Sequence, residues 1–183
     1  MLLKNLLAVA AIVVLVVAVF AVIVVMQPSE FRIQRSATIA APAPVVFAQV
    51  NDFHNWEAWS PWAKLDPSAQ SSFEGASAGT GASFAWAGNS KVGEGRMTIV
   101  ESRPSELVRI KLEFVKPFAA TNTAEFTFKP EGDRTAVTWS MYGHNNFVAR
   151  AMGLVVDMDR FLGGEFEKGL ASMKSVAEAS AKK

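Results

Sequence analysis

The chain has 183 residues, with 18 Lys and Arg against 17 Asp and Glu, two His and no Cys. That length allows one domain with a substantial core. The even charge balance leaves no electrostatic footprint for nucleic acid, and the missing thiols exclude disulfides, cysteine nucleophiles and thiolate metal sites.

The first element is the run from Leu6 to Met26, LLAVAAIVVLVVAVFAVIVVM, which is 21 residues without a charge, a proline or a glycine. As a helix it covers about 31 Å, the thickness of a bilayer core. A buried core helix would show a polar edge, and a cleaved signal peptide would have a shorter apolar run and a small-x-small site. The exit VVMQPSE has no such site. Residues 6–26 therefore read as an uncleaved, single-pass membrane anchor. Lys4 lies on one side; Arg32 and Arg35, offset partly by Glu30, lie on the other. The signal-anchor arrangement leaves the N-terminus inside and the rest of the chain on the extracytoplasmic side. Gln27 to Glu30 reach at most about 13 Å, so the domain beyond them sits close to the bilayer surface.

From Phe31 the period changes to two. FRIQRSATI places Phe31, Ile33 and Ile39 on one side and Arg32, Gln34 and Thr38 on the other, a half-buried strand. In APAPVVFAQVNDF, Pro42 and Pro44 suit a helix start, and Val46, Phe47 and Val50 give it an apolar face. Asn51 or Asp52 can end that helix and cap a second short one over His54 to Trp59, which Pro61 stops. Three tryptophans, Trp56, Trp59 and Trp62, crowd this stretch. Trp56 and Trp59 share a helical face, so packing explains them better than ligand contact; Trp62, beyond the proline, is freer to line a cavity mouth or sit at a bilayer interface.

Residues 66–95 are rich in Gly, Ser and Ala and predict short strands near 70–74, 82–87 and 91–101. Three longer strands come next. LVRIKLEFV aligns Val108, Ile110, Leu112 and Phe114; NTAEFTFKP aligns Ala124, Phe126 and Phe128; TAVTWSMYG aligns Val137, Trp139 and Met141. The turn at 131–133 makes the last two a hairpin. Successive strands with short turns imply an antiparallel sheet with one apolar face. Val155, Met158, Leu162, Phe166, Leu170, Met173 and Val176 or Ala177 then step by three and four, predicting a long helix laid across that face. Gly163 and Gly164 mark a close approach or a bend.

The domain reading is a 1–29 anchor and linker, a 30–178 folded body and a 179–183 frayed tail. Four pieces, ATIAAPAPVVFAQVNDFHNWEAWSPW, GEGRMTIVESRPSELVRIKLEF, TAVTWSMYG and FEKGLASMKSVAE, occur in an order that resembles the START-like (SRPBCC) superfamily, within it the bacterial "polyketide cyclase/dehydrase"-like branch. Asp52, Trp56, Trp59 and Pro61 match a pattern that the family places in a cradle beneath the long helix. The resemblance implies an α+β helix-grip fold: a curved antiparallel sheet around a long C-terminal helix, with an apolar cavity between them. Members bind lipids, sterols, polyketides and other hydrophobic molecules, and many have no known activity, so the word cyclase is not evidence of catalysis.

No nucleophile elbow or phosphate loop is present. GTGAS and GEGRM read as turn and bulge glycines. His144 is the tempting acid–base candidate, but it falls where a strand gives way to a loop; Asp157 and Asp159 suit a helix N-terminus. Glu94 or Arg96 would orient a ligand's polar end if either faced inward. No catalytic residue, metal or cofactor is assigned. The expected function is a membrane-anchored binder or carrier of a hydrophobic small molecule or lipid, with no nucleic-acid partner and with protein partners undefined. Its ligand-binding residues are Trp86, Met97, Ile110, Leu112, Phe114, Phe126, Trp139, Met141, Met158, Leu162 and Phe166. Those side chains could equally fill a dry core. Two other readings stay open: an enzyme acting on a hydrophobic substrate, which needs a titratable group inside, and a ligand-free interaction module, which needs a filled core and an exposed apolar patch.

Overall fold

The computed structural model describes residues 2–182. An apolar helix α1, Leu2–Met26, precedes strand β1, Glu30–Ile39. A nine-residue helix α2, Ala43–Asn51, leads into a 3₁₀ helix, Phe53–Ala58. Six more strands come after it: β2 Gln70–Gly75, β3 Ala82–Ala87, β4 Glu94–Arg103, β5 Leu107–Lys116, β6 Ala120–Glu131 and β7 Arg134–His144. A short helix α3, Phe147–Gly153, and a long helix α4, Met158–Ser180, complete the chain. All seven strands form one antiparallel sheet in the order β1-β7-β6-β5-β4-β3-β2. Each neighbour in sequence after β2 pairs by a simple hairpin, and β1 closes the far edge against β7. This is the α+β helix-grip arrangement.

The predicted single C-terminal helix is two helices. Gly153 ends α3, and the Asp157 carboxylate accepts from the Arg160 N–H at 2.9 Å to start α4. An N-cap residue takes extended backbone, so the helix cannot run through it. Val155, expected on the packed stripe, therefore lies in the connection and is 83% exposed. The stripe itself holds from Phe166 through Leu170, Met173 and Ala177, all buried. The second short helix is a 3₁₀ turn whose His54 N–H donates to the Asp52 carboxylate.

The tryptophans after α2 serve its C-terminus. A helix leaves its last four carbonyls without internal partners. Here Asn55 Nδ2 donates to the Ala48 carbonyl at 2.9 Å, Trp59 Nε1 to Gln49 at 3.0 Å, Trp56 Nε1 to Val50 at 3.0 Å and the Gly79 N–H to Asn51 at 2.8 Å. The two indoles satisfy polar backbone while burying their rings, at 7% and 2% exposure, against Phe126 and Trp139.

Helix α4 is fixed to β1 by a seam of charge-assisted bonds. Arg35 falls on the inner-facing parity of β1, with Ile33 and Ile39. Its guanidinium donates to Asp159 at 2.9 Å and 3.1 Å and to Glu167 at 2.8 Å. Further along, Lys174 donates to the Thr38 carbonyl at 3.0 Å, and the Ala40 N–H to Glu178 at 2.8 Å. Gly163 is the close approach: a Cβ there would overlap the Arg35 guanidinium, whereas Gly164 faces open space.

Trp59→Phe removes one donor and part of a buried ring and is expected to cost about 2–3 kcal/mol. Half-buried Trp62→Phe should cost under about 1 kcal/mol. Equal losses in denaturant melts would refute the capping role. The Arg35 guanidinium holds the Asp159 carboxyl below its ordinary range, chiefly by hydrogen bonding, and the Ala40 N–H does the same for Glu178. A depressed carboxylate stabilises the fold above its unfolded value and loses that contribution as pH falls through its folded one. The melting temperature should thus stay level near neutrality and drop below about pH 4. Arg35→Met should flatten that acid limb; an unchanged limb would show that the seam at Asp159 adds nothing.

Candidate functional site

The register lines up rows of side chains on the inner face, and burial is lost toward one end of the strands. One row is Arg35, Trp139, Phe126 and Val108. The next is Ile33, Met141, Ala124, Ile110 and Ile99, all buried. The third is Phe31, Gly143, Asn122, Leu112, Met97, Phe84 and Phe73, and most of it is only half-buried or exposed. Phe114 and Trp86 lie beyond it on the same face, with Trp86 Nε1 bonded to the Val92 carbonyl at 2.9 Å and its ring over Gly95. The cause of the gradient is the reach of α4. Its buried residues begin at Gly163, beside Arg35, whereas Met158 and Phe161 before it are exposed and Leu162 is half-buried.

The sequence-predicted ligand residues therefore divide. Phe126, Trp139 and Phe166 form a continuous stack in the closed part: Trp139 lies 4.2 Å from Phe166 at 9° and 4.8 Å from Phe126 at 27°. Ile110, Leu112 and Met141 are buried beside them. Trp86, Met97, Phe114 and Leu162 are half-buried around the open end, with Trp86 and Phe114 edge to face at 6.1 Å. Met158 opens α4 and is exposed. Trp62 packs edge-on against Trp139 at 5.8 Å and Phe166 at 6.4 Å, covering the stack from the side.

Two polar features stand on this face. Trp139 Nε1 is buried without a hydrogen-bond partner, a donor whose desolvation costs about 1–3 kcal/mol until an acceptor meets it. Asn122 supplies an amide on the third row. Arg35 is the cation this face sends toward α4, and Asp159 and Glu167 already hold it. Parity on β1 would have found Arg35; the orphan indole has no sequence signal, because every tryptophan looks alike in one dimension.

The remaining candidates turn elsewhere. Arg96 alternates with inner-facing Met97 and pairs with Glu74 at 2.9 Å on the outer face, and Glu94 pairs with Lys116 at 2.7 Å. His144 ends β7 with its side chain 80% exposed. His54 stacks on Phe73 at 4.0 Å and bonds to Asp52. Asp66, which joins the rim at the open end, accepts from Ser68 Oγ and the Asn89 N–H, both at 2.7 Å, and these bonds hold its carboxyl below the usual range. An open hollow of about 500 Å³ lies at the ends of β1 and β7, lined by Glu30, Phe31, Arg32, Tyr142, Gly143 and His144. Among the described residues no cluster of His, Asp and Glu is arranged to hold a metal.

Comparison with solved structures places this architecture. A protein of unknown function from Staphylococcus aureus (SA2116) superposes with a TM-score of 0.61 at 10% identity, over 87% of this chain and 99% of its own. Protein CV1439 from Chromobacterium violaceum gives 0.57 at 13% identity, over 83% and 99%. The Aha1 dimer from Colwellia psychrerythraea gives 0.56 at 14% identity, over 81% and 96%. At these identities the likeness is one of fold. No curated protein matches by sequence. Residues 30–178, the strands, cradle and long helix just described, match the family model for polyketide cyclase / dehydrase and lipid transport, and the chain belongs to that family.

Proposed function

We propose that this protein is a membrane-anchored binding or carrier protein for a hydrophobic small molecule or lipid. Residues 6–26 form the anchor, and the 30–178 unit takes the ligand through the open end of the grip. The observation that carries the reading is the apolar third row, left half-buried beyond the point where α4 begins to bury side chains. Water-facing apolar surface of this kind gains by being covered, and a guest burying about 300 Å² there would gain on the order of 7 kcal/mol before ordering costs. Trp86, Met97, Phe114 and Leu162 would hold its apolar part. Asn122 would meet an acceptor such as a carbonyl oxygen, one of the few placed polar groups that a mostly apolar site uses for orientation. The packed stack of Phe126, Trp139 and Phe166 would form the floor.

The family's association with lipid transport supports this class of ligand. Helix α1 is long and apolar enough to cross a membrane, which supports the anchor. We place the domain on the extracytoplasmic side, following the signal-anchor arrangement. Catalysis draws no comparable support, since the one cation sent toward α4 is engaged by two carboxylates.

The full chain purified in nanodiscs should displace an apolar dye from its open end and yield a bound lipid or apolar molecule by extraction and mass spectrometry. Phe114→Arg, which puts a guanidinium in the opening, should weaken uptake by about tenfold or more while lowering the melting temperature by only about 2–4 °C. A wild-type chain that takes up nothing, or a variant that binds as well as wild type, would overturn the reading.

A further inference from the structure

Most of the strongly exposed apolar side chains of the folded body gather at one end, although Leu65, Phe73 and Val100 are exposed elsewhere. Val155 is 83% exposed, Phe161 62%, Phe118 56%, Phe147 50%, Val148 45% and Met152 40%. Five of these belong to α3, the connection after it and the start of α4. Phe118 lies in the β5–β6 turn, at the end of the sheet where Glu30 pairs with His144 and Lys116 with Glu94. This is the end where α1 enters and where the grip is open.

The apolar segment is also fastened to the end of α1. Arg150 of α3 donates from Nη1 to the Val25 carbonyl at 3.2 Å and from Nε to the Asn145 carbonyl at 3.1 Å. The Asn145 N–H donates to Ser29 at 2.8 Å. Val24 is fully buried where its neighbours in α1 are exposed. Val24 and Val25 stand within about 3 Å of the end of the span along the helix axis. A helix held at that level lies at the headgroup–acyl boundary, where interfacial helices bury their apolar side chains about 5–10 Å deep.

We infer that α3 and the connection to α4, with the Phe118 turn beside them, form a rim that inserts into the surface of the lipid bilayer and turns the open end of the grip toward it. The occupant of this patch is the bilayer because the patch is continuous with an apolar span and tied to its end by the Arg150 side chain and to the linker by the Asn145 N–H. Insertion is apolar rather than electrostatic: Arg150 is committed to two carbonyls, and Asp157 and Asp159 stand beside Arg160 in the same segment. A guest would pass between bilayer and grip without crossing water. The inference rests on the anchor proposed above.

The chain has no cysteine, so single labels report cleanly. Val155→Cys, Val16→Cys and Asp133→Cys, each carrying an environment-sensitive nitrobenzoxadiazole, would be reconstituted as full chains in phosphatidylcholine vesicles with and without spin-labelled lipid. Asp133, 95% exposed in the turn at the opposite end of the sheet, is the aqueous control. The Val155 label should shift to the blue and be roughly halved in intensity by a shallow spin label, at any salt concentration. The Val16 label should be quenched by a deep one, and the Asp133 label by neither. A quenched Val16 label beside an unquenched Val155 label would overturn the rim and leave the anchor standing. An unquenched Val16 label would overturn the anchor and the rim with it. A blue-shifted Val155 label that lipid does not quench would mean that a second copy covers the patch, and that too would overturn the rim.

Discussion

Phe166 lies flat on the Trp139 indole, and the sheet and long helix meet at that contact. An aromatic pair at 4.2 Å buries both faces and fixes the helix height above the strands. Gly169 permits it, because a Cβ there would come within 2.8 Å of the same indole. Phe126 extends the stack beneath, and the cradle tryptophans close it edge-on. Such interiors are close-packed and resist small rearrangements. The closed part of the grip is therefore a packed floor and frame, and the half-buried apolar side chains lie beyond it.

The Arg35 seam then sets where coverage ends. Its guanidinium occupies the space over β1 that a side chain at position 163 would need, and two carboxylates hold it there. Moving α4 further along the strands would break bonds to Arg35, Thr38 and Ala40 together. The helix is thus registered on the strand, and the half-buried row beyond Arg35 is a consequence of that register. The same register brings α3 and the start of α4 to the end of the sheet where α1 joins it. The half-buried row, the exposed apolar side chains of α3 and helix α1 thus share one end for a single geometric reason: β1 and β7 pair antiparallel along their whole lengths, so the chain enters β1 and leaves β7 side by side.

Much of this was legible in the residue order. Period-two alternation in β1 and β5–β7 gave the apolar face, the 131–133 turn gave the hairpin, and the three–four stepping after Leu162 gave the packed stripe of α4. The C-terminal break was harder to see, because Val155 continues the stripe arithmetically while Asp157 interrupts it by capping. The role of the tryptophans was legible only in outline. Packing could be argued from their spacing, whereas the use of two indoles and one Asn to satisfy three carbonyls of α2 depends on the angle between two elements, which no local pattern encodes.

The sequence by itself determined the apolar span, the single-faced strands, the amphipathic final helix and the absence of thiol chemistry, since each comes from composition or from a period that the backbone imposes. Tertiary structure alone decided that Arg35 would meet Asp159 and Glu167 across 124 and 132 residues of chain. It also decided that Trp139 would keep an unmet donor and that coverage would stop at Gly163. Those outcomes depend on where a helix comes to rest on a curved sheet. That position is set by the summed packing of side chains distant in sequence, so no short stretch of the chain carries it.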